Sequence, residues 1–126
     1  MHKKILFLLL AASAGIAISA QSALDDDLMQ NIEDSTKSLT SNIALKDIKG
    51  GSVDAKELAE MFAKVEVFYQ QKGDAVEAVD LSRKSRELSV EVGKDITSRN
   101  FDHANELATS LSKTCKTCHS IYKKDA

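Results

Sequence analysis

The last helical stretch of the chain constrains the fold more than any other feature. Apolar and small residues recur there at alternating steps of three and four, at Phe101, Ala104, Ala108, Leu111, Cys115, Cys118 and Tyr122. This spacing predicts a helix that turns one continuous face toward a core. Three earlier stretches show the same period, and the chain has no proline and only 5 glycines to interrupt them. The sequence therefore predicts an all-α fold.

We expect four helices joined by short connections. The first runs from about Leu24 to Ile48 and stops at Gly50-Gly51, the second from Asp54 to Gly73, the third from Asp74, and the fourth from Asn100 or Asp102. Asp54 and Asp74 each precede a glutamate by three residues, which is the pattern of a capping box. Short connections make consecutive helices antiparallel neighbours. Residues 21–126 are thus expected to form one up-down-up-down four-helix bundle.

Residues 1–20 have the organisation of a secretory signal peptide. Lys3 and Lys4 precede an apolar run, and the small residues Ser19 and Ala20 predict cleavage after Ala20. An uncleaved membrane anchor is the alternative, but the apolar stretch is short for a span, which needs about 20 residues. The segment contains no cysteine that could carry a lipid. We expect an exported protein with no membrane span after cleavage.

The charge of the chain argues against one class of partner. Lys3 and Lys4 are two of the 17 Lys and Arg residues, so the mature chain keeps 15 against 19 Asp and Glu, a net charge of −4. An acidic domain of this kind is not expected to bind nucleic acid.

Cys115-Lys116-Thr117-Cys118-His119 is a C-x-x-C-H sequence, which is the attachment pattern for c-type haem. Two thiols three residues apart on a helix can each add to a vinyl group on one edge of the macrocycle. His119 then lies beneath the ring, where its imidazole can reach the iron. The sequence predicts one covalent haem c.

Three other interpretations of the motif compete with haem. A dithiol redox motif usually accompanies a βαβ pattern, and no strand is predicted here. A zinc site needs about four ligands, whereas this cluster offers three. A plain disulfide would leave the adjacent histidine without a role.

The motif and its position resemble class II cytochrome c, the cytochrome c-prime family. The matching residues are Cys115, Cys118, His119, Tyr122 and Lys123, at the end of four predicted helices. The resemblance covers the mature chain in architecture and the last helix in motif. It implies a periplasmic monohaem protein, with His119 as an axial iron ligand and the residue at Lys123 near a propionate. The family more often has Arg at that position.

The family divides by its second iron ligand. One branch leaves that face open and binds gases such as nitric oxide, whereas another places a methionine there and carries electrons. Leu28-Met29 is similar to the Leu-Met pair on the first helix of the second branch. Asp25 stands where some gas-binding members have Arg. The resemblance therefore favours the six-coordinate, low-spin branch, with five-coordinate gas binding as the alternative.

Helix geometry supports Met29 independently. In an antiparallel bundle, the first helix starts at the end where the last one stops, which places Met29 about 7–8 Å and His119 about 9 Å from that end. Met61 is about 16 Å from it, and His103 is about 24 Å from His119 along the same helix. We expect Met29 to be the second iron ligand and His103 to be a surface or helix-start residue.

The heights of residues along the bundle axis also predict an apolar haem pocket. Its expected members are Leu28, Ile32, Phe68, Tyr69, Val76 and Val79, with Tyr122 and Lys123 one turn beyond His119. The lysines near the motif, Lys113, Lys116, Lys123 and Lys124, would either steer an acidic redox partner or complement the helix dipole.

These features predict an electron carrier of the periplasm that works with redox partner proteins. Beyond the haem motif no catalytic constellation is visible, so no enzyme is expected. A haem-stabilised structural or assembly component is a third hypothesis. The sequence is compatible with a monomer or a homodimer.

Overall fold

The computed structural model describes residues 24–122, and all regular secondary structure in that range is helical. The four helices are α1 (Asp26–Ala44), α2 (Ile48–Lys72), α3 (Val76–Thr97) and α4 (Phe101–Tyr122). The predicted signal peptide, Lys123 and Lys124 lie outside the described residues.

Each connection is three residues long, which makes consecutive helices neighbours. Every helix packs against the next one, and α1 also packs against α4. This arrangement is that of an up-down bundle, which confirms the predicted all-α architecture. None of the helices between residues 24 and 122 is long and apolar enough to cross a membrane.

The core lies along the bundle axis and draws on all four helices. Leu39, Leu58, Val92 and Leu111, one from each helix, are fully buried. Each occupies the apolar stripe of its own helix, so the periodicity of the sequence identified the core side of every element.

The contact between α2 and α3 relies on small residues. Ser82, Ser85 and Ser89 follow the buried stripe of α3, and a Cβ placed on Gly93 would stand 3.4 Å from that of Ala55. The buried hydroxyl of Ser89 donates to the carbonyl of Ser85 at 2.8 Å. The Ser82 hydroxyl likewise donates to the Ala78 carbonyl at 2.6 Å, so both groups can be buried without a partner on α2.

The predicted boundary between the first two helices is wrong. α1 ends at Ala44, and Gly50 and Gly51 lie inside the first turn of α2. The Asp47 side chain caps α2 by accepting the Gly50 amide at 3.0 Å. A Cβ on Gly50 would come within 2.7 Å of that carboxylate. Glycine is therefore needed here because the Asp47 side chain lies close to the backbone, and it does not stop a helix.

Both predicted capping boxes are also wrong. Asp54 is buried within α2, where it accepts a hydrogen bond from Asn42 Nδ2 of α1 at 2.7 Å. The N-cap of α3 is Ala75, which has no side-chain oxygen, and Asp74 precedes it. By contrast, Gly73 ends α2 with a left-handed φ of 83°, as predicted, and α4 begins at Phe101, between the two starts that were predicted.

A buried carboxylate joins α2 to α3. The side chain of Glu66 is only 10% exposed and accepts from Arg83 Nε and Arg86 Nε, each at 3.0 Å. Because both guanidinium groups lie partly in solvent, each of these two ion pairs stabilises the fold less than a fully buried ion pair would.

We expect Glu66→Ala to lower the free energy of unfolding by about 1–2 kcal/mol, because two cations lose a partly buried partner. Glu91→Ala is the matched control, since Glu91 pairs with Lys94 at 55% exposure, and its cost should stay below about 0.5 kcal/mol. Urea denaturation followed by circular dichroism measures both. Equal costs for the two variants would contradict the structural role of Glu66.

Candidate functional site

The C-x-x-C-H motif lies at the end of the bundle where α1 and α3 begin and α2 and α4 end, called here the site end. Tyr122, the last residue of α4, accepts a hydrogen bond from the Ala78 amide of α3 at 3.1 Å. Its ring lies 5.5 Å from that of Tyr69, near the end of α2. Leu28 of α1 and Phe68 of α2 line one cleft at the same end. All four helices therefore contribute residues to the site end.

The two cysteines share the inner side of α4. Both thiols are free and half-buried, and Cys115 packs against the hydrophobic core. Residues three apart lie nearly one turn apart on the same side of a helix. Leu111 and Thr114 are buried just before them, so the motif continues the core-facing stripe.

His119 lies on the exposed side of the same turn. It makes no hydrogen bond or ion pair with any residue of the described range. The imidazole is therefore available as a ligand, as the motif requires.

Burial controls the ionisation of the thiols. It raises the pKa of Cys115 to about 11, with a smaller contribution from the neighbouring Cys118. Burial also raises the pKa of Cys118. The pKa of Tyr69 is raised by burial and, to a smaller extent, by Cys118 and Tyr122. Both cysteines are consequently protonated at neutral pH.

Met29 lies in the first turn of α1, half-buried against the core. It is three residues from the start of α1, and His119 is three residues from the end of α4. At 1.5 Å per residue, each is about 4–5 Å inside its helix end, so their levels match. Met61 is 11 residues from the end of α2, or about 16 Å.

His103 lies near the opposite end of the bundle. Its side chain is 52% exposed, and Nδ1 is 2.6 Å from Asp95 Oδ2 on α3. The prediction that it is a surface residue near a helix start is confirmed.

The predicted pocket residues differ in burial. Ile32 is buried, and the partly buried ones are Leu28, Phe68, Tyr69, Val79 and Tyr122. Val76, in contrast, is 73% exposed at the first position of α3, so it does not line the apolar interior of the described chain. Its place on the outward side of α3 explains the difference.

The cleft beside Leu28 and Phe68 adds residues that sequence reasoning missed. It measures about 380 Å³ and is also lined by Leu24, Asn31 and Lys64. Lys64 precedes Phe68 by four residues, so the two share a side of α2. That spacing is the signal that could have identified Lys64.

The donor set fits a covalent haem better than a bare metal ion. Within residues 24–122, no three His, Cys, Asp or Glu side chains converge as a metal-binding group. Two unpaired thiols on the inner side of one helix, beside an available imidazole, match the chemistry of thioether attachment and axial ligation.

No family model matches this sequence, and comparison with curated proteins and with solved structures finds no similar chain. The assignment of a function therefore depends on the residues of the site itself.

We expect Cys115 to react slowly with iodoacetamide in folded protein that carries no cofactor. A pKa of about 11 against the ordinary 9.0 lowers its thiolate fraction at pH 8 about a hundredfold. Mass spectrometry of peptides after timed alkylation measures the rate, with urea-unfolded protein as the control. A Cys115 that reacts as fast in the folded as in the unfolded chain would show that the thiol does not face the core.

Proposed function

We propose that this protein is a monohaem c-type cytochrome that carries electrons in the periplasm. The observation that carries the proposal is the C-x-x-C-H sequence near the end of α4, where two free, half-buried thiols lie on the inner side and His119 is exposed and available. The bundle around it supports the resemblance to the cytochrome c-prime family in architecture.

Three residues of α4 would hold the cofactor. Cys115 and Cys118 would fasten it through thioether links, and His119 would ligate the iron. When bound, haem supplies one-electron oxidation and reduction. Because all three residues belong to one helix, the backbone of α4 fixes their spacing along the chain.

Met29 is the proposed second iron ligand. Its position at the level of His119, on the helix that closes the bundle against α4, supports this role. A thioether ligand tends to raise the reduction potential of haem iron. Leu28, Ile32 and Phe68 lie at the same end and would exclude water from that side of the site.

The proposed partners are redox proteins of the same compartment. Lys113 and Lys116 are exposed on the last turns of α4, next to the motif. Positive charge there would steer an acidic partner toward the site, although it also complements the negative end of the helix dipole. The protein would act as a monomer or a homodimer.

Maturation in a host that attaches c-type haem tests the cofactor. We expect the intact mass to increase by that of one haem, because both thiols are unpaired and lie beside His119. A Cys115→Ala, Cys118→Ala double variant should lose the covalent mass, whereas Thr117→Ala, a change between the cysteines, should retain it. A wild-type chain that leaves the same host with two free thiols would disprove the proposal.

The optical spectrum of the haem form tests Met29. We expect a low-spin spectrum with a thioether-to-iron charge-transfer band, and we expect Met29→Ala to convert it to a high-spin spectrum that responds to carbon monoxide. Met61→Ala is the control, since Met61 lies about 16 Å from the site end and its loss should leave the spectrum low-spin. A wild-type spectrum that is already high-spin would support gas binding instead of electron transfer.

A further inference from the structure

The start of α3 lacks a cap of its own. A helix leaves its first backbone N–H groups without intrahelical partners, and a polar N-cap side chain usually satisfies one of them. The N-cap of α3 is Ala75, which makes no side-chain hydrogen bond. Asp74 does not take over this role, although it has a carboxylate one residue earlier.

The missing acceptor comes from a distant part of the chain. The Ala78 amide, at the third position of α3, donates to the phenol oxygen of Tyr122 at 3.1 Å. These residues are 44 positions apart in sequence. Tyr122 is therefore the N-cap acceptor of α3, supplied by the last turn of α4.

The ring of Tyr122 makes a second contact that restricts the same turn. It packs against Tyr69 of α2 at a centroid distance of 5.5 Å and an interplanar angle of 44°. One side chain at the end of α4 thus contacts both the end of α2 and the start of α3. This connection matters because terminal turns fray more easily than helix interiors.

Tyr122 and His119 share this last turn. They are three residues apart, so a change in the backbone near Tyr122 also moves the imidazole. Ring packing and the hydrogen bond both act against unwinding of the turn. Cys118, in the same turn, is also half-buried.

We propose that Tyr122 is a positioning residue: by accepting the Ala78 amide, its hydroxyl holds the last turn of α4 and so fixes the orientation of His119. The inference rests on the proposed function, in which His119 ligates the haem iron. The position of the turn is independent of that function and can be tested separately.

Tyr122→Phe removes the acceptor and keeps the ring. Ser120→Ala is the matched control, because it removes a hydroxyl from the same last turn, one that donates within α4 to the Thr117 carbonyl at 2.7 Å and not to another helix. Adding Ala75→Ser to Tyr122→Phe gives a third variant, in which α3 regains a local acceptor while α4 stays released.

The first measurement is amide hydrogen exchange in protein without cofactor. We expect Tyr122→Phe to speed exchange about fivefold at Ala78 and also at His119 and Ser120, which corresponds to the usual net contribution of one hydrogen bond. In the double variant, protection should return at Ala78 but not at His119. Unchanged exchange at His119 in both variants would show that Tyr122 caps α3 without holding α4.

The second measurement is electron paramagnetic resonance of the oxidised haem form. The low-spin signal depends on ligand orientation, so we expect a narrow signal in the wild type and in Ser120→Ala, and a broadened or shifted one in Tyr122→Phe and in the double variant. The double variant restores a cap to α3 without restoring the contact of α4. If the wild-type signal returns in that variant, the signal depends on the stability of the bundle, and the positioning role of Tyr122 is overturned. If no haem attaches at all, the proposed function fails, and the exchange measurement alone decides the role of Tyr122.

Discussion

The bundle depends on three connections of three residues each. A connection this short leaves the chain no room to cross the bundle, so every helix must return beside the previous one. As a result, α1 and α3 begin where α2 and α4 end. Residues as distant in sequence as Met29, Tyr69, Ala78 and Cys118 therefore belong to the same end of the molecule.

The inner side of α4 has two roles that meet in its last turns. Up to Thr114, this side fills the core, and from Cys115 onward it presents thiols. Burial raises the pKa of both thiols, so they stay protonated at neutral pH and are weak nucleophiles. The imidazole that follows stays on the exposed side. A helix places these groups in fixed relation, which is the condition that the proposed haem attachment needs.

Several polar groups of this protein have partners on another helix. Asp54 and Glu57 have the spacing of a helix start, yet Asp54 is buried and bonded to Asn42 of α1. The start of α3 uses Tyr122 of α4 as its acceptor. Gly50 and Gly51 suggest a break, but the Asp47 cap begins α2 before them. In the first two cases a contact across helices replaced the local use that the pattern predicted, whereas at Gly50 a local cap at Asp47 replaced the predicted break.

The sequence by itself determined the helical period, the core side of each helix and the motif at Cys115, Cys118 and His119, because these follow from the spacing of residues along one helix. It also predicted the matching levels of Met29 and His119, since antiparallel order and the rise per residue are enough for that. Only the tertiary structure decided where α1 ends, that Val76 faces outward, and that Tyr122 caps α3. Those features depend on contacts between residues of different helices, and such contacts produce no periodic pattern in the sequence.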